Sequence, residues 1–517
     1  MKKITALKDY RKPIALILAA MMLAAPMLTA CSEQAPEEST NETIASAENN
    51  TETETETETE TEEPDPFEDV DYGGRTLTVY TSVDTNDATN GDRFIRGSGE
   101  YTGEAVNDAV YERNLKVQDL LGINLEFIEA NYDYNAASAQ IKKQITAGDT
   151  EWEVVANDIR ALAQMSSGGY IANIYGNDIL NMEKSYWYAD SMQDLMFVDG
   201  GMFLIVGDYF TDAIASSHVL YTNEQIFENT YGDTEYVNKM VFDGKWTIDE
   251  MTKILEESYV DTDGDGKKSS SDTYGYACIG MWGSAIPMLV GLDIPFVTRT
   301  DNGIEYSFNS ERSVTALDKL HSLYYSDGTN TTLGDVTALR TFFSNGQCIF
   351  MGYNRLGDLE NLREIEFSVG AIPYPKYDEE QENYVTTLHD TSEIGAIPST
   401  ISGDDLTFVL TCLEVLGRET SKIVMPEFYE DGLKVKYADG QDDALMIDFI
   451  HDSITSPFAV AYNQSLSGFI LETVFLTPLA NNNINFASSY SKSEKVATKA
   501  LNKLVESFNN VIGGTAE

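Results

Sequence analysis

An acidic loop is the segment whose residue types and spacing most directly predict a chemical site. Counted from Asp261, carboxylates stand at positions 1, 3, 5 and 12 (Asp261, Asp263, Asp265 and Asp272), with glycine at position 6. Oxygen ligands on alternate residues converge on one hard cation, and the glycine permits the sharp turn. Lys267 would add its backbone carbonyl, so the spacing predicts a structural calcium site, with a solvated turn as the alternative. The aspartate at position 12 has a shorter reach than the usual glutamate.

Cys31 ends a second chemical motif, the lipobox Leu-Thr-Ala-Cys. Basic residues between Lys2 and Lys12 and an apolar run over 14–27 precede it, as in a secretory signal peptide, which we place at residues 1–30. Cleavage would leave a cysteine able to carry two acyl chains, enough for stable membrane attachment. We therefore predict a palmitate-type lipid anchor at Cys31, on the extracellular face of the cell membrane. A plain signal peptide with an incidental cysteine is the alternative.

Residues 31–72 contain an acidic tract in which Thr-Glu dipeptides repeat from Thr51 to Glu62. Apolar residues are too sparse there to form a core, and like charges repel along the chain. We therefore expect a disordered, extended linker between the lipid anchor and a folded body.

The charge balance of the whole chain excludes one class of partner. Asp and Glu number 85 against 34 Lys and Arg, giving a formal net charge of −51. Nucleic acid is excluded, because binding a phosphate backbone requires a basic face. The body also holds an odd number of cysteines, Cys278, Cys348 and Cys412, which predicts buried free thiols rather than a disulfide framework.

Strands and helices alternate at the start of the body. Strands are predicted over 75–80, 123–128 and 153–156, and helices over 104–121 and 136–147. This order indicates an open α/β sheet, whose ligands bind outside the carboxyl ends of the strands.

A second α/β region begins near His218. The uncharged but glycine-interrupted stretch 273–292 is interpreted there as buried loop and helix. The other elements predicted from here to the end of the chain are helices over 247–258, 313–325, 406–416 and 493–507, and strands over 347–351, 368–372 and 393–397.

Four stretches give the chain a resemblance to a known family: GKWTIDE at 244–250, FSNGQCIFMG at 343–352, GAIPYPK at 370–376 and IGAIP at 394–398. In this order behind a lipobox, they make the body similar to family 1 extracellular solute-binding lipoproteins of carbohydrate ABC importers. The resemblance implies an α/β, two-lobe periplasmic-binding-protein-like fold with an interlobe ligand cleft. It also implies a monomer that captures a carbohydrate, which we expect to be an oligosaccharide, for ABC permease subunits in the membrane.

The two-lobe interpretation divides the chain into segments. We place the first part of lobe 1 at 73–210, the first part of lobe 2 at 211–375, and a return to lobe 1 at 376–435. The C-terminal helices, at 436–517, are assigned mainly to lobe 2.

Aromatic and polar residues supply the candidate ligand contacts. A sugar presents flat C–H faces to which an indole ring offers a matching apolar surface, so Trp187 and Trp282 are candidate platforms, whereas Trp152 and Trp246 are predicted to be structural. Polar side chains that can pair with sugar hydroxyls are Asn157, Asp158, Asp208, Tyr353, Arg355, His389 and Asp390. Packing or helix capping is the alternative role for each candidate.

Two other functions stay open from sequence. A peptide receptor is one, since the negative charge would attract cationic peptides. A surface glycan hydrolase is the other, but the chain shows no motif of a catalytic set, and we predict that it is not an enzyme.

Overall fold

The computed structural model of the protein describes residues 66–82, 92–130, 134–280, 282–300, 303–362, 364–429 and 441–514. The predicted signal peptide, the anchor residue Cys31 and all but the last residues of the predicted linker lie outside these ranges. Among the helices described, none combines the length and the apolarity needed to cross a membrane.

The strands form two sheets and a two-stranded ribbon. In chain order they are β1 (Arg75–Ser82), β2 (Ile123–Ala130), β3 (Val154–Asp158), β4 (His218–Asn223), β5 (Tyr274–Ala277), β6 (Val297–Thr300), β7 (Gly303–Tyr306), β8 (Thr329–Asn330), β9 (Cys348–Arg355), β10 (Val369–Ile372) and β11 (Glu393–Ala396).

Helices connect and cover these sheets. In chain order they are α1 (Asp92–Ile95), α2 (Ala105–Leu121), α3 (Tyr134–Ala147), α4 (Ile159–Ser167), α5 (Ala189–Asp194), α6 (Asp212–Ala215), α7 (Glu224–Tyr231), α8 (Tyr236–Phe242), α9 (Ile248–Glu256), α10 (Trp282–Gly291), α11 (Glu311–Tyr324), α12 (Val336–Ser344), α13 (Asp404–Glu419), α14 (Met425–Glu427), α15 (Gln441–Asp452), α16 (Phe458–Tyr462), α17 (Thr477–Ala480) and α18 (Phe486–Ile512).

The first sheet has the strand order β11-β3-β1-β2 and defines lobe 1. β1 pairs in parallel with both β2 and β3, which confirms the predicted βαβαβ order. α2 ends where predicted, because Gly122 takes the left-handed conformation, with φ of 59°, that glycine adopts without a Cβ penalty. β11 returns antiparallel to β3, and Ile205 bridges to Gly395 on the outer side of β11.

The second sheet has the strand order β10-β4-β9-β5-β8 and defines lobe 2. Its strand β5 was missed, since the stretch from Thr273 was interpreted as loop and helix. β5 is only four residues long and contains Gly275, so its pattern resembles a turn. The glycine is required by packing, because a Cβ there would lie 2.9 Å from the Cα of Leu255.

Three chain segments, over 206–217, 386–392 and 453–457, connect the lobes and are bonded to one another. The backbone of Ser217 bridges to Leu388, and that of Thr386 bridges to Ile454. The N–H of His389 donates to the carbonyl of Ser216 at 3.0 Å. The connections therefore form one hydrogen-bonded unit.

The long C-terminal helix α18 contacts both lobes. The ring of Phe508 stacks on Phe197 of lobe 1 with centroids 5.0 Å apart. A Cβ on Gly303 of the β6–β7 ribbon in lobe 2 would lie 2.7 Å from Val505. One helix thus packs against both lobes.

Burial confirms two predictions about single residues. Trp152 and Trp246 are almost fully buried, and the indole N–H of Trp246 donates to the carbonyl of Pro373 at 3.1 Å. The three body cysteines are free and buried, as their odd number predicted.

Candidate functional site

Two of the predicted polar residues lie at the carboxyl end of strand β3. Asp158 caps α4, since its Oδ1 accepts hydrogen bonds from the backbone N–H of Arg160 at 2.9 Å and of Ala161 at 3.3 Å. Asn157 is fully buried, and its Nδ2 lies 3.5 Å from Ser138 Oγ on α3. Asp158 therefore reaches the lobe edge, whereas Asn157 points into lobe 1.

The guanidinium of Arg160, which was not predicted, joins two predicted carboxylates. One of its nitrogens lies 2.7 Å from Asp158 Oδ2, and another lies 2.6 Å from Asp390 Oδ2. Burial raises the pKa of Asp158, and the hydrogen bond and charge of Arg160 oppose that shift. Asp158 and Asp390, far apart in sequence, are thus held together by one cation.

Two histidines continue this arrangement toward lobe 2. His389 Nδ1 lies 3.1 Å from Asp390 Oδ1, and the rings of His389 and His218 are 5.1 Å apart. His218 is 6% exposed, and its Nδ1 has no hydrogen-bond partner within the described part of the chain. Burial, reinforced by the neighbouring His389, lowers the pKa of His218 to about 3, so its ring is neutral.

Arg355 brings lobe 2 into the same arrangement, because it is the sheet partner of His218. Its Nε lies 3.3 Å from Asp358 Oδ2, and Arg340 lies 3.2 Å from the other oxygen of that carboxylate. We name the following set the interlobe polar cluster: Asp158, Arg160, His218, Arg355, Asp358, His389 and Asp390. It runs from the carboxyl end of β3, across the connecting segment 386–392, to the end of β9.

Tyr353 lies beside this cluster in a strained conformation. Its φ is 65°, unusual for a residue other than glycine. Its ring rests on the first turn of α10, where a Cβ on Gly283 would come within 2.0 Å of the ring. α10 begins at Trp282, whose side chain lies outside the described residues, so the prediction for that residue stays a prediction.

Asp208 belongs to a separate buried group. Its Oδ1 accepts a hydrogen bond from the hydroxyl of Tyr188 at 3.1 Å and lies 3.7 Å from His451 Nε2. Burial lowers the pKa of His451, but Asp208 and Asp452 together raise it above its ordinary value. A cavity of about 260 Å³ beside this group lies between segments 182–190 and 451–455.

Trp187 is a buried residue at the edge of this cavity, and its predicted role as a ligand platform stays a prediction. Its side chain is 3% exposed. Its indole N–H donates to Glu414 Oε2 at 2.7 Å, and Tyr186 donates to the other oxygen at 2.5 Å. A Cβ on Gly207 would lie 2.6 Å from the ring. The residue anchors the segment before α5 to α13 within lobe 1.

The acidic loop gathers three of its predicted ligands. Carboxylate oxygens of Asp261, Asp263 and Asp265 lie within 4.8 Å of one another. Asp272 is buried outside this group, and its oxygens accept from the backbone N–H of Thr262 at 3.0 Å and of Ser269 at 2.7 Å. Asp272 closes the loop, and three carboxylates face the space that a cation would need.

Backbone N–H groups of the acidic loop donate to two of its carboxylates. The N–H of Lys267 donates to Asp265 Oδ1 at 2.7 Å, and that of Gly264 donates to Asp261 Oδ1 at 2.8 Å. These bonds hold the carboxylates on the inner side of the turn.

The architecture defines the class of fold. The chain has a two-lobe, periplasmic-binding-protein-like α/β fold with a cleft between the lobes, which confirms the predicted fold class.

The chain is similar to a cyclo/maltodextrin-binding protein solved with maltotetraose, with a TM-score of 0.50 and 12% identity over 86% of this chain and 99% of that one. It is also similar to an uncharacterised protein from Listeria monocytogenes EGD-e, with a TM-score of 0.52 and 11% identity over 83% of this chain and 100% of that one. At these identities the likeness is one of fold. No protein-family model and no curated protein sequence matches the chain.

Replacing Trp187 separates its structural role from a role in ligand binding. Trp187→Ala should lower the free energy of unfolding by about 3–5 kcal/mol, because a large buried ring is lost. Trp187→Phe, which keeps a ring but leaves Glu414 without the indole N–H, should lose about 1–3 kcal/mol. Denaturant unfolding measures both. A Trp187→Ala protein of normal stability that binds ligand about 10–100-fold more weakly would instead make this residue a ligand platform.

Proposed function

We propose that the protein is an extracellular solute-binding protein that captures a carbohydrate, and more narrowly an oligosaccharide, for import by an ABC transporter. The observation that carries this proposal is the interlobe polar cluster. It lies at the carboxyl ends of strands in two facing α/β lobes, where such sheets bind ligands. The fold-related protein crystallised with maltotetraose supports the same ligand class.

The charges of the cluster favour a neutral ligand over a cationic peptide. Arg160 is paired with two carboxylates, and Asp358 is paired with Arg340 and Arg355. With Arg340 counted, three guanidiniums face the three carboxylates of the cluster, so the charges are matched there although the whole chain is strongly acidic. A neutral polyol fits this balance, because it brings hydrogen-bonding groups without bringing a charge.

The chemistry of these groups suits sugar hydroxyls. A carboxylate or guanidinium can bond two neighbouring hydroxyls of a sugar ring. The neutral imidazole of His218 leaves Nδ1 for a further hydroxyl. From the sequence, His218 was identified only as the start of a strand. Its place in the site depends on its pairing with Arg355 across the sheet, which no local pattern indicates.

A binding role fits the cluster better than hydrolysis does. A glycosidase needs two carboxyl groups with separate roles, one of them protonated to act as the acid. Asp158 and Asp390 are instead bound to the same guanidinium, so the two carboxyl groups lack the separate surroundings that distinct catalytic roles require. Closure of the lobes about the connecting segments would bury the sugar and create the surface that permease subunits recognise. We propose that the receptor works as a monomer.

We propose in addition that Cys31 carries the lipid that holds the protein on the outer face of the membrane. Two acyl chains suffice for stable attachment. The acidic linker would then separate the two lobes from the bilayer.

A structural calcium ion in the acidic loop is the third part of the proposal. Asp261, Asp263 and Asp265 offer the hard oxygen ligands that calcium prefers. The loop follows α9 and leads into β5, which pairs with β9, the central strand of the lobe 2 sheet. The ion would therefore stabilise lobe 2 without contacting the sugar.

Maltotetraose and other neutral oligosaccharides should raise the melting temperature, whereas basic peptides should not. Asp390→Asn should weaken sugar binding about 10–100-fold in calorimetry, because a charge-assisted hydrogen bond contributes about 1.5–3 kcal/mol. Asp405→Asn is the matched control, since it changes an exposed aspartate that is 2.7 Å from Arg75. A shift with basic peptides alone would establish the peptide receptor, and release of reducing sugar would establish the hydrolase.

Calcium should raise the melting temperature and leave sugar specificity unchanged. An ion that binds only the native state stabilises it by about 2.7–4.1 kcal/mol at about 100–1,000 times its Kd. Asp263→Ala combined with Asp265→Ala should abolish this response. Asp327→Ala, which removes an exposed carboxylate bonded to Lys268 next to the loop, should keep it. Identical melting curves of the unmodified protein in calcium and in chelator would reject the site.

Cys31→Ala should release the protein from membranes without altering sugar affinity, because the acyl chains are the proposed attachment. Fractionation of cells after a salt wash measures the release. Cys412→Ala is the control, since Cys412 is buried in lobe 1. A Cys31→Ala protein that still sediments with washed membranes would contradict the lipid anchor.

A further inference from the structure

The exposed face of α18 carries a stripe of lysines on an otherwise acidic chain. Its buried side is formed by residues that include Ala497, Leu501 and Phe508, which fixes the helix orientation. Steps of three and four residues return side chains to one face of a helix. The exposed residues that follow this spacing are Lys492, Lys495, Lys499 and Lys503.

These four ammonium groups are not paired within the described part of the chain. The ion pairs found there involve none of the four lysines, although Glu494 and Glu506 lie on the same helix. The helix therefore has an excess of positive charge in a chain with a formal net charge of −51.

The spacing of the stripe matches another segment of the same chain. Four residues of helix advance about 6 Å along the axis, which is the step from Lys495 to Lys499 and from Lys499 to Lys503. In an extended chain, every second residue lies on the same side, and two residues advance about 6.6 Å. The Thr-Glu repeat from Glu52 to Glu62 therefore presents one carboxylate for each lysine step when it lies along the helix.

We propose that the acidic Thr-Glu tract, residues 51–62, docks on the lysine stripe of α18 in its own chain. Charge complementarity selects this occupant, because residues 31–65 contain Asp and Glu but no Lys or Arg. The fourteen residue steps from Glu52 to Pro66 reach at most about 49 Å. The glutamates at the start of the tract therefore reach furthest over the body, whose expected radius of gyration is about 22 Å, whereas Glu62 stays within about 14 Å of Pro66.

Docking would control how far the linker reaches. Exposed ion pairs are individually weak and are screened by salt, so the contact exchanges rapidly and loosens as ionic strength rises. With the tract on α18, part of the linker runs along the body instead of extending away from it. The linker would then be shorter at low ionic strength than its length alone predicts.

Carbodiimide cross-linking of the full chain tests this contact, since the reagent joins a carboxylate to a nearby lysine. The controls are four exposed lysines outside α18, namely Lys116, Lys143, Lys184 and Lys267. Lys116 lies on α2, whose last residue, Leu121, accepts a backbone hydrogen bond from Tyr72 near the end of the linker. Chain proximity alone therefore favours Lys116 over the stripe.

At low salt, mass spectrometry should place cross-links from Glu52–Glu62 on the four stripe lysines at least about five-fold more often than on the four controls. Mixing labelled and unlabelled chains identifies the intramolecular products. The preference should disappear in about 0.5 M NaCl, where charges are screened within a few ångströms. Replacing the four stripe lysines by Gln should abolish it, and replacing the four control lysines should not.

Equal cross-linking of stripe and control lysines, or a preference for Lys116, would overturn the proposal. Phosphatidylglycerol vesicles that sediment with the protein through the stripe, with no cross-links from the tract, would also overturn it and identify a lipid surface as the occupant. Cross-links that form mainly between different chains would instead show that the stripe binds the tract of a second copy of the protein.

Discussion

The shared guanidinium of Arg160 is the interaction on which the interlobe site depends. It bonds Asp158, at the end of a lobe 1 strand, and Asp390, on a segment that connects the lobes. Removing one member of such a partly buried set leaves charge without a partner, and this is more destabilising than the loss of an exposed pair. The position of the connecting segment relative to lobe 1, and with it His389, is therefore fixed by an electrostatic contact rather than by packing alone.

The connecting segments are tied to one another by small polar side chains. Ser216 and Ser392 share a hydrogen bond of 2.6 Å, and so do Thr386 and Ser453. A second buried arginine, Arg113, donates to Thr420 at 2.7 Å and stacks over Tyr209, at the start of the first connection. Because bonded segments move together, lobe closure would rotate about this unit as a whole, and the cluster beside it would change shape with the ligand.

Local sequence patterns predicted much of the fold correctly but identified fewer of the residues of the candidate site. The alternation of 75–158 predicted a parallel sheet, and from it the edge at which Asp158 lies. Arg160 had no local signal, because its role depends on Asp390, which is distant in sequence. The burial of Trp187 had no local signal either, since its partner Glu414 lies on a helix that was predicted only as an element. β5 was missed because packing against α9, rather than its own pattern, requires Gly275.

Charges are paired within the interlobe polar cluster, whereas the surface of the molecule carries a net negative charge. Within the interlobe polar cluster, acids and bases neutralise each other at distances of 2.6–3.3 Å, where burial limits screening. On the surface, negative charge dominates, and salt screens it over about 10 Å at 0.1 M. A neutral ligand would therefore bind with little dependence on ionic strength, because no net charge enters or leaves the cluster. Contacts of the acidic linker would depend strongly on ionic strength. Ligand capture and linker extension would then respond to different properties of the surroundings, although one chain performs both.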